Sequence, residues 1–258
     1  LMWANHDVNH TWDIRLSWDQ DDVIWAGAVD RKEFEIICHR IVEKYFKEPN
    51  YYCINGEPVF QIYDLGNLIK GLGGVRETKE ALEWFRDETI KAGFPGLHLQ
   101  LTVYGNTLNL SGVDGSGLRT EEEIGAGLGF SSISHYQFAH FINIDRDYEE
   151  ILQDVAKVWE KLEKDYKLPY FPHISVGWDN NPRFTGLRKG VVKNNTPKML
   201  KKGLEMAKDY ADHHKNQPSL ITINSWNEWT ETSYLEPDDL YGYDYLNAVK
   251  DVFKNDEK

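Results

Sequence analysis

The sequence predicts an α/β protein built from repeated strand–helix units, and the favoured architecture is a (β/α)₈ barrel, or TIM barrel. Six short apolar segments alternate with segments of helical periodicity, which is the order of parallel βαβ units. Polar and aromatic residues gather at the strand ends, and such ends converge on one face of a barrel. An open doubly wound sheet usually carries a glycine-rich phosphate loop. No strand here is followed by G-x-G-x-x-G, and G-x-x-x-x-G-K-[ST] does not occur.

The first two units are predicted from apolar spacing and turn residues. An apolar strand at 1–4 ends in polar residues, and apolar residues at helical spacing predict a helix over 31–46. Asn55-Gly56 is a turn signal, and a second strand over 58–63 follows it. The next helix, over 77–92, is stopped by a glycine.

The third and fourth units have weaker signals. Alternating residues predict a strand over 97–104, and a capping pattern predicts a short helix over 120–128. A strand over 131–138 follows, and then a long amphipathic helix over 146–166. These elements extend the alternation of strands and helices.

The last two units complete the pattern. A strand over 170–178 precedes a helix over 197–214, which begins with a proline at a favourable first-turn position. The sixth strand contains the β-forming residues 220–223, and a closing helix is predicted over 241–253. The alternation continues to the last helix, without a linker to a second domain.

Length and charge bound the possible partners. We expect the 258 residues to form one barrel domain over 1–258, with the first two units of the barrel upstream of Leu1. A formal net charge of −13 and a pI near 5.1 disfavour nucleic acid and anionic membranes. The sequence has no apolar run long enough to span a bilayer. Cys38 and Cys53 lack metal-ligand spacing and are expected to be free thiols, and no cofactor is expected.

The stretch 219–237, SLITINSWNEWTETSYLEP, predicts the active site. Its apolar strand ends in two carboxylates, Glu228 and Glu231, which are interleaved with Trp226 and Trp229. An ionised glutamate without a partner is costly to bury, so we expect this strand end to line a cleft. Paired carboxylates suit glycoside chemistry, and indoles stack on sugar rings. The alternative is a solvated loop whose two tryptophans pack into the core.

Three motifs carry a resemblance to a known family. They are WNEWTETSYLEP at 226–237, FPHISVGWDNNPR at 171–183 and LMWANHD at 1–7. Together they resemble the glycoside hydrolase family 99-like superfamily, which includes endo-α-mannosidases and a bacterial branch labelled polysaccharide-biosynthesis glycosyltransferase-like. The resemblance covers essentially the whole chain and implies a (β/α)₈ barrel. Degradative members of the family are typically exported.

The resemblance also implies roles for the two glutamates. Glu228 would act as a base on the sugar 2-hydroxyl to give a 1,2-anhydrosugar, and Glu231 would be the general acid and then the base. This route retains the anomeric configuration. The family usually has glycine after the second glutamate, but this chain has Thr232, which would be strained if the position needs a positive φ. The Asn-Glu pair of other barrel glycosidases is a weaker match, because only Glu236 remains downstream as a partner.

Residues at the predicted strand ends are candidates for binding the sugar. The candidates are Trp3, Asn5, Asp7, Tyr63, Tyr104, Tyr136, Trp178, Asp179, Arg183, Trp226, Asn227 and Trp229. Arg183 would be a fixed donor to sugar hydroxyls. For Asp179 a turn cap is an equal alternative, and each tyrosine has packing as its alternative. Glu236 is expected to hold the loop, and no metal site is predicted.

Three functions fit these observations. The first is a retaining glycoside hydrolase acting on a neutral oligosaccharide or polysaccharide. The second is a glycosyltransferase, for which the cluster of Arg188, Lys189 and Lys193 is the only sign of a diphosphate site. The third is a carbohydrate-binding barrel without catalytic activity. Export rests on the resemblance alone, and the sequence leaves the oligomeric state, the sugar and the linkage open.

Overall fold

The computed structural model describes residues 1–3, 29–103 and 127–254. These residues fall into two compact units. The first contains the described residues of Leu1–Val103 and Thr107–Ile133 together with Asp165–Pro169, and the second contains Ser134–Lys164 and the described residues of Tyr170–Lys258. One barrel domain over 1–258 stays a prediction.

The first unit is built around strands, most of which pair in parallel. They are β1 (Met2–Trp3), β2 (Cys53–Ile54), β3 (Glu57–Ile62), β4 (His98–Thr102) and the start of β5 (Ser132–Ser134). Both β1 and β4 pair in parallel with β3. β2 runs antiparallel to β3 across Asn55-Gly56, where both residues have positive φ as a tight hairpin turn requires. All five residues of β4 are buried, as in a strand covered on both faces.

Three helices lie wholly within the described part of the first unit. They are α1 (Arg31–Lys44), α2 (Leu65–Leu72) and α3 (Val75–Lys91). Asp30 and Asp64 cap α1 and α2 by accepting backbone N–H bonds at 2.9 Å. An aromatic cluster forms the core, in which the Phe85 ring lies 5.9 Å from that of Phe46 and 5.3 Å from that of Phe60.

The second unit contains the elements that position the site. They are β6 (Tyr170–Phe171), β7 (His173–Ser175), β8 (Thr222–Asn224), α4 (Tyr148–Asp165), α5 (Pro197–His213) and α6 (Asp244–Phe253). β7 and β8 are parallel, with Ser175 opposite Asn224. Trp159 of α4 packs edge-on against Tyr210 of α5, with ring centroids 5.3 Å apart. The parallel pair therefore sends two loops out from adjacent strand ends.

Short elements shape these two loops. The loop after β7 contains a 3₁₀ turn, Asn181–Arg183. The loop after β8 forms a hairpin of β9 (Asn227–Glu228) and β10 (Ser233–Tyr234), joined by the 3₁₀ turn Trp229–Glu231. Backbone hydrogen bonding fastens the loops together, because Asp179 N donates to Glu231 O at 2.8 Å.

The α/β class and the parallel pairing of strands are confirmed, whereas closure into a barrel stays a prediction. Five predicted helices are present, with ends shifted by three residues at most. The helix α2 was not predicted. The strand predicted over 131–138 ends at Ser134, and the strand predicted over 170–178 is interrupted at Pro172, which has no N–H to donate.

Some predictions lie beyond the described residues. Most of the predicted helix over 120–128 lies outside the described residues, and so do Asn5, Asp7 and Tyr104. Within the described residues, no helix combines the length and the apolar character needed to cross a bilayer. Cys38 and Cys53 are free thiols, as predicted.

Candidate active site

A buried polar network lies beneath the loop after β8. Asn224, the last residue of β8, is buried, and its Oδ1 accepts bonds from Gln137 Nε2 at 2.9 Å and Ser233 Oγ at 2.8 Å. A cis peptide joins Asn224 to Ser225. Ser225 Oγ donates to Ser233 O at 2.7 Å and accepts from Glu228 N at 3.2 Å. These bonds fix both ends of the hairpin that carries the glutamates.

The backbone next to Glu231 is left-handed. Thr232 has φ 52° and ψ 36°, a region that glycine enters freely and a β-branched residue enters at a cost. Its hydroxyl donates to Asp179 O at 3.1 Å. Gly177 lies against this backbone. A Cβ added to Gly177 would overlap Asn195 Nδ2 and lie 2.8 Å from Thr232 O. Of the two outcomes that the sequence left open, a strained Thr232 or a shifted loop, the structure has Thr232 itself at positive φ. Gly177 leaves room for this loop, because a side chain there would overlap it.

Arg183 joins the two glutamates. Its Nη1 donates to Glu231 Oε1 at 2.8 Å, and its Nη2 donates to Glu228 Oε1 at 3.0 Å. Its Nε donates to Thr230 Oγ1 at 2.9 Å, and that hydroxyl donates in turn to Glu228 Oε1 at 2.8 Å. The two carboxylates therefore contact one guanidinium, and a sugar-binding cleft around them stays a prediction. Donation by Arg183 to a sugar hydroxyl stays a prediction.

The two glutamates differ in exposure. The Glu231 side chain is 12% exposed, whereas that of Glu228 is 37% exposed. Burial raises the pKa of Glu231 above its ordinary value, and the charge of Glu228 adds to this rise while Arg183 opposes it. A raised pKa keeps a larger fraction of Glu231 protonated, which is what a general acid needs near neutral pH.

The pKa of Tyr136 depends on the charges of the two glutamates and Arg183. Burial raises the pKa of its phenol, and the carboxylates of Glu231 and Glu228 raise it further. The side-chain amide of Asn224 and the guanidinium of Arg183 oppose this rise. Among the residues that the structure describes, the buried Asn224 Nδ2 has no acceptor with standard hydrogen-bond geometry, although its interaction with the phenol favours ionisation of Tyr136. Tyr136 is thus electrostatically coupled to the glutamates, and its contact with a sugar stays a prediction.

The tryptophans of the motif lie at the surface. Trp226 is 53% exposed and Trp229 is 43% exposed, so the alternative in which both pack into the core is wrong. The Trp229 ring stacks on Tyr234 with centroids 3.8 Å apart, and its Nε1 donates to Glu236 Oε2 at 2.8 Å. Glu236 therefore holds the loop as predicted, and the Trp229 indole is held in one orientation.

The remaining candidates occupy varied positions. Asp179 Oδ1 accepts bonds from Asn181 N at 2.9 Å and from Asn181 Nδ2 at 2.6 Å, which confirms the turn cap proposed for it. Trp178 is half-buried beside it, and Asn227 is exposed on β9. Trp3 and Tyr63 belong to the first unit, where Trp3 is buried with its ring 5.2 Å from that of Phe34. Their part in sugar binding stays a prediction.

The sequence analysis missed the residues that support the glutamates. Gln137, Asn224, Ser225, Thr230 and Ser233 hold the hairpin through side-chain hydrogen bonds. Their signal was present as small polar residues at the ends of apolar strands, where buried polar groups must pair with one another. Among the residues described, no cluster of three or more histidine, cysteine or acidic side chains is arranged to hold a metal ion.

Solved structures define the class of fold. The chain resembles the endo-α-mannosidase of glycoside hydrolase family 99 from Bacteroides thetaiotaomicron in complex with bis-tris-propane, with 14% identity and a TM-score of 0.54 over 86% of this chain and 64% of that one. A structure described as a glycoside hydrolase-like protein matches with 15% identity and a TM-score of 0.56, over 96% of this chain and 66% of the other. At these identities the likeness shows the fold, and the predicted resemblance to the family 99-like superfamily is confirmed.

Sequence comparison then gives the family. Residues 1–249 match the model of the family described as Glycosyltransferase WbsX, and the chain belongs to that family. Two curated relatives, each an uncharacterized protein WxcX from a strain of Xanthomonas campestris pv. campestris, are 26% identical over 267 residues. The match covers 97% of this chain and 34% of each relative, so the chain spans about a third of their length.

Proposed function

We propose that the protein is a retaining glycoside hydrolase that cleaves a neutral oligosaccharide or polysaccharide. The observation that carries this proposal is the pair formed by Glu228 and Glu231, held together by Arg183 beside exposed tryptophans. Most glycosidases cleave the glycosidic bond with a pair of carboxylates. The likeness in fold to family 99 enzymes supports the same activity.

The environments of the glutamates support different roles. Glu231 is the more buried residue and has a raised pKa, so it acts as the acid that protonates the leaving oxygen. Glu228 acts as the base on the sugar 2-hydroxyl, and attack by that oxygen on the anomeric carbon gives an anhydrosugar. Glu231, now ionised, then takes a proton from the water that opens the anhydrosugar, while Glu228 returns its proton to the 2-oxygen as the bond from that oxygen to the anomeric carbon breaks. Two displacements at one carbon retain its configuration.

The arginine bridge limits the carboxylate separation. Bonds of 2.8 and 3.0 Å to one guanidinium hold the two Oε1 atoms no more than about 8 Å apart. This range includes the roughly 5–5.5 Å of direct nucleophilic retention and the shorter part of the roughly 6.5–9.5 Å of inversion. A neighbouring-group route has no fixed separation, so the product anomer must decide among the three.

Surface chemistry supports a neutral sugar as substrate. Trp226 and Trp229 present indole surface beside the glutamates, and a sugar ring with axial C–H groups stacks on such faces. The net charge of −13 disfavours anionic glycans. We place the site at the carboxyl ends of the strands of a (β/α)₈ barrel, in which the active sites of that fold lie.

A glycosyltransferase is the second candidate, because the family description names that activity. It requires a site for a diphosphate. Lys193 is paired with Asp145 at 3.4 Å, and the Arg188 guanidinium lies 3.3 Å over the Phe184 ring. These two cations are thus engaged within the protein, which makes them weaker candidates for phosphate binding than the sequence predicted.

Hydrolysis of a glycan panel tests the proposal. The panel contains α- and β-linked mannan, glucan and galactan together with host-type glycans, and reducing ends are counted for the wild type, Glu228→Gln and Glu231→Gln. We expect one glycan to be cleaved and both variants to be inactive while still binding it. Transfer from nucleotide sugars without any hydrolysis would favour the second candidate. Binding without either reaction would favour a carbohydrate-binding barrel.

A further inference from the structure

We propose that Arg183 is a positioning residue that fixes the spacing and the relative orientation of Glu228 and Glu231. The inference rests on the proposed function for its catalytic consequence. Its structural basis does not, because it concerns three side chains whose contacts are defined in the free protein.

The planar guanidinium of Arg183 sets the positions of its three partners. Arg183 uses three nitrogens of one rigid plane: Nη1 for Glu231, Nη2 for Glu228 and Nε for Thr230. Its side chain is 19% exposed, so solvent competes little for these bonds. Charged bonds to a planar fork specify direction as well as distance. A lysine at this position has the charge but cannot make all three bonds in that plane.

The backbone of Arg183 is also fixed by hydrogen bonds. Arg183 N donates to Asn180 O at 3.1 Å, and the preceding Asp179 caps the same turn. Asp179 also binds the hairpin through its backbone, since its N–H donates to Glu231 O at 2.8 Å and its carbonyl accepts from Thr232 Oγ1 at 3.1 Å. The arginine and the glutamates therefore belong to loops fastened to each other, as positioning requires.

The charge of Arg183 also affects the protonation of Glu231. Without Arg183, the two carboxylates would lose the guanidinium that both of them contact, and their mutual repulsion would favour a proton on one of them. The more buried Glu231 is the site where that proton stays. Arg183 opposes the rise in the pKa of Glu231 that burial and Glu228 cause, so removing Arg183 is expected to raise that pKa further.

The test is a titration that needs no substrate. Glutamate side-chain carbons are labelled with ¹³C, and Glu228→Gln and Glu231→Gln assign the two signals. In Arg183→Met the pKa of Glu231 is expected to rise by about 1–3 units. Arg188→Met, which removes a guanidinium that lies over Phe184, is the matched control and should leave the titration unchanged. A Glu231 titration that is the same in Arg183→Met and wild type would overturn the proposal.

Arg183→Lys separates positioning from charge. The lysine keeps a cation, so the pKa of Glu231 is expected to stay close to the wild-type value, while kcat falls at least tenfold with little change in KM. Wild-type kcat in this variant would refute the positioning role. In Arg183→Met, the loss of activity with rising pH should occur at a higher pH than in the wild type, because Glu231 keeps its proton to a higher pH. If Arg183→Met does not fold, the lysine variant decides the question.

If no glycan is cleaved, the proposed function fails while the titration still gives its result. The two failures are therefore distinguishable.

Discussion

Replacing Thr232 by glycine and by alanine tests the left-handed backbone that follows Glu231. At φ 52° an alanine costs roughly 1–2 kcal/mol, whereas glycine has no such penalty and loses instead about 0.5–1 kcal/mol through its more flexible unfolded chain. Both variants lack the hydroxyl that donates to Asp179 O. The comparison therefore isolates the backbone, and we expect Thr232→Gly to be more stable than Thr232→Ala by roughly 0.5–1 kcal/mol.

Thermal unfolding measures this difference. For a chain of this size 1 kcal/mol corresponds to a change in Tm of about 2–4 °C. Thr185 provides a control, because it lies in a neighbouring exposed loop and does not have a positive φ. There the Tm of the alanine variant should equal or exceed that of the glycine variant. A Thr232→Ala variant as stable as Thr232→Gly would show that the residue does not adopt the left-handed conformation in solution.

Three further predictions concern packing, pH and binding. Gly177→Ala should lower Tm by several degrees because the added Cβ overlaps neighbouring atoms, whereas Gly186→Ala, with open space around it, should not. Burial lowers the pKa of His140 to about 4 and that of His173 well below its ordinary 6.5, so the unfolded chain binds more protons below pH 6.5. Stability should then fall from pH 6.5 toward pH 4, by no more than about 1.4 kcal/mol per histidine per pH unit, and a Tm that is flat between pH 7 and 5 would contradict this. Trp229→Ala should weaken glycan binding about tenfold or more in calorimetry, with Trp229→Phe intermediate, and equal affinities would exclude a stacking role.

The elements that were predictable from sequence are those with a periodic signal. The helices α4 and α5 each bury an apolar stripe, and their bounds follow the spacing of that stripe. The missed helix α2 has eight residues, too few for a clear period, and its cap Asp64 comes directly after the strand predicted over 58–63. The break at Pro172 depends on hydrogen bonding in the sheet, which the sequence shows only as a proline.

The site was predictable as a set of residues more than as a set of contacts. Glu228, Glu231 and Trp229 could be found because charges and indoles beside an apolar strand are unusual. The ion pairs of Arg183 could not, because they span 45 and 48 residues and depend on how two loops approach each other. Gln137 was missed for the same reason, since its partner Asn224 is 87 residues away.

The most direct test of the account uses a leaving group that needs no acid. Once the glycan panel identifies the sugar, the corresponding glycosyl fluoride is mixed with the wild type, Glu228→Gln and Glu231→Gln, and fluoride release is followed through the first turnover. Removing the general acid should slow cleavage of the glycan by roughly 10²–10⁴ while Glu231→Gln still releases about one fluoride per protein. Glu228→Gln should release none, because the 2-hydroxyl has lost its base. Fluoride release by Glu228→Gln at the wild-type rate, or equal loss in Glu231→Gln on both substrates, would contradict the assignment of the two glutamates.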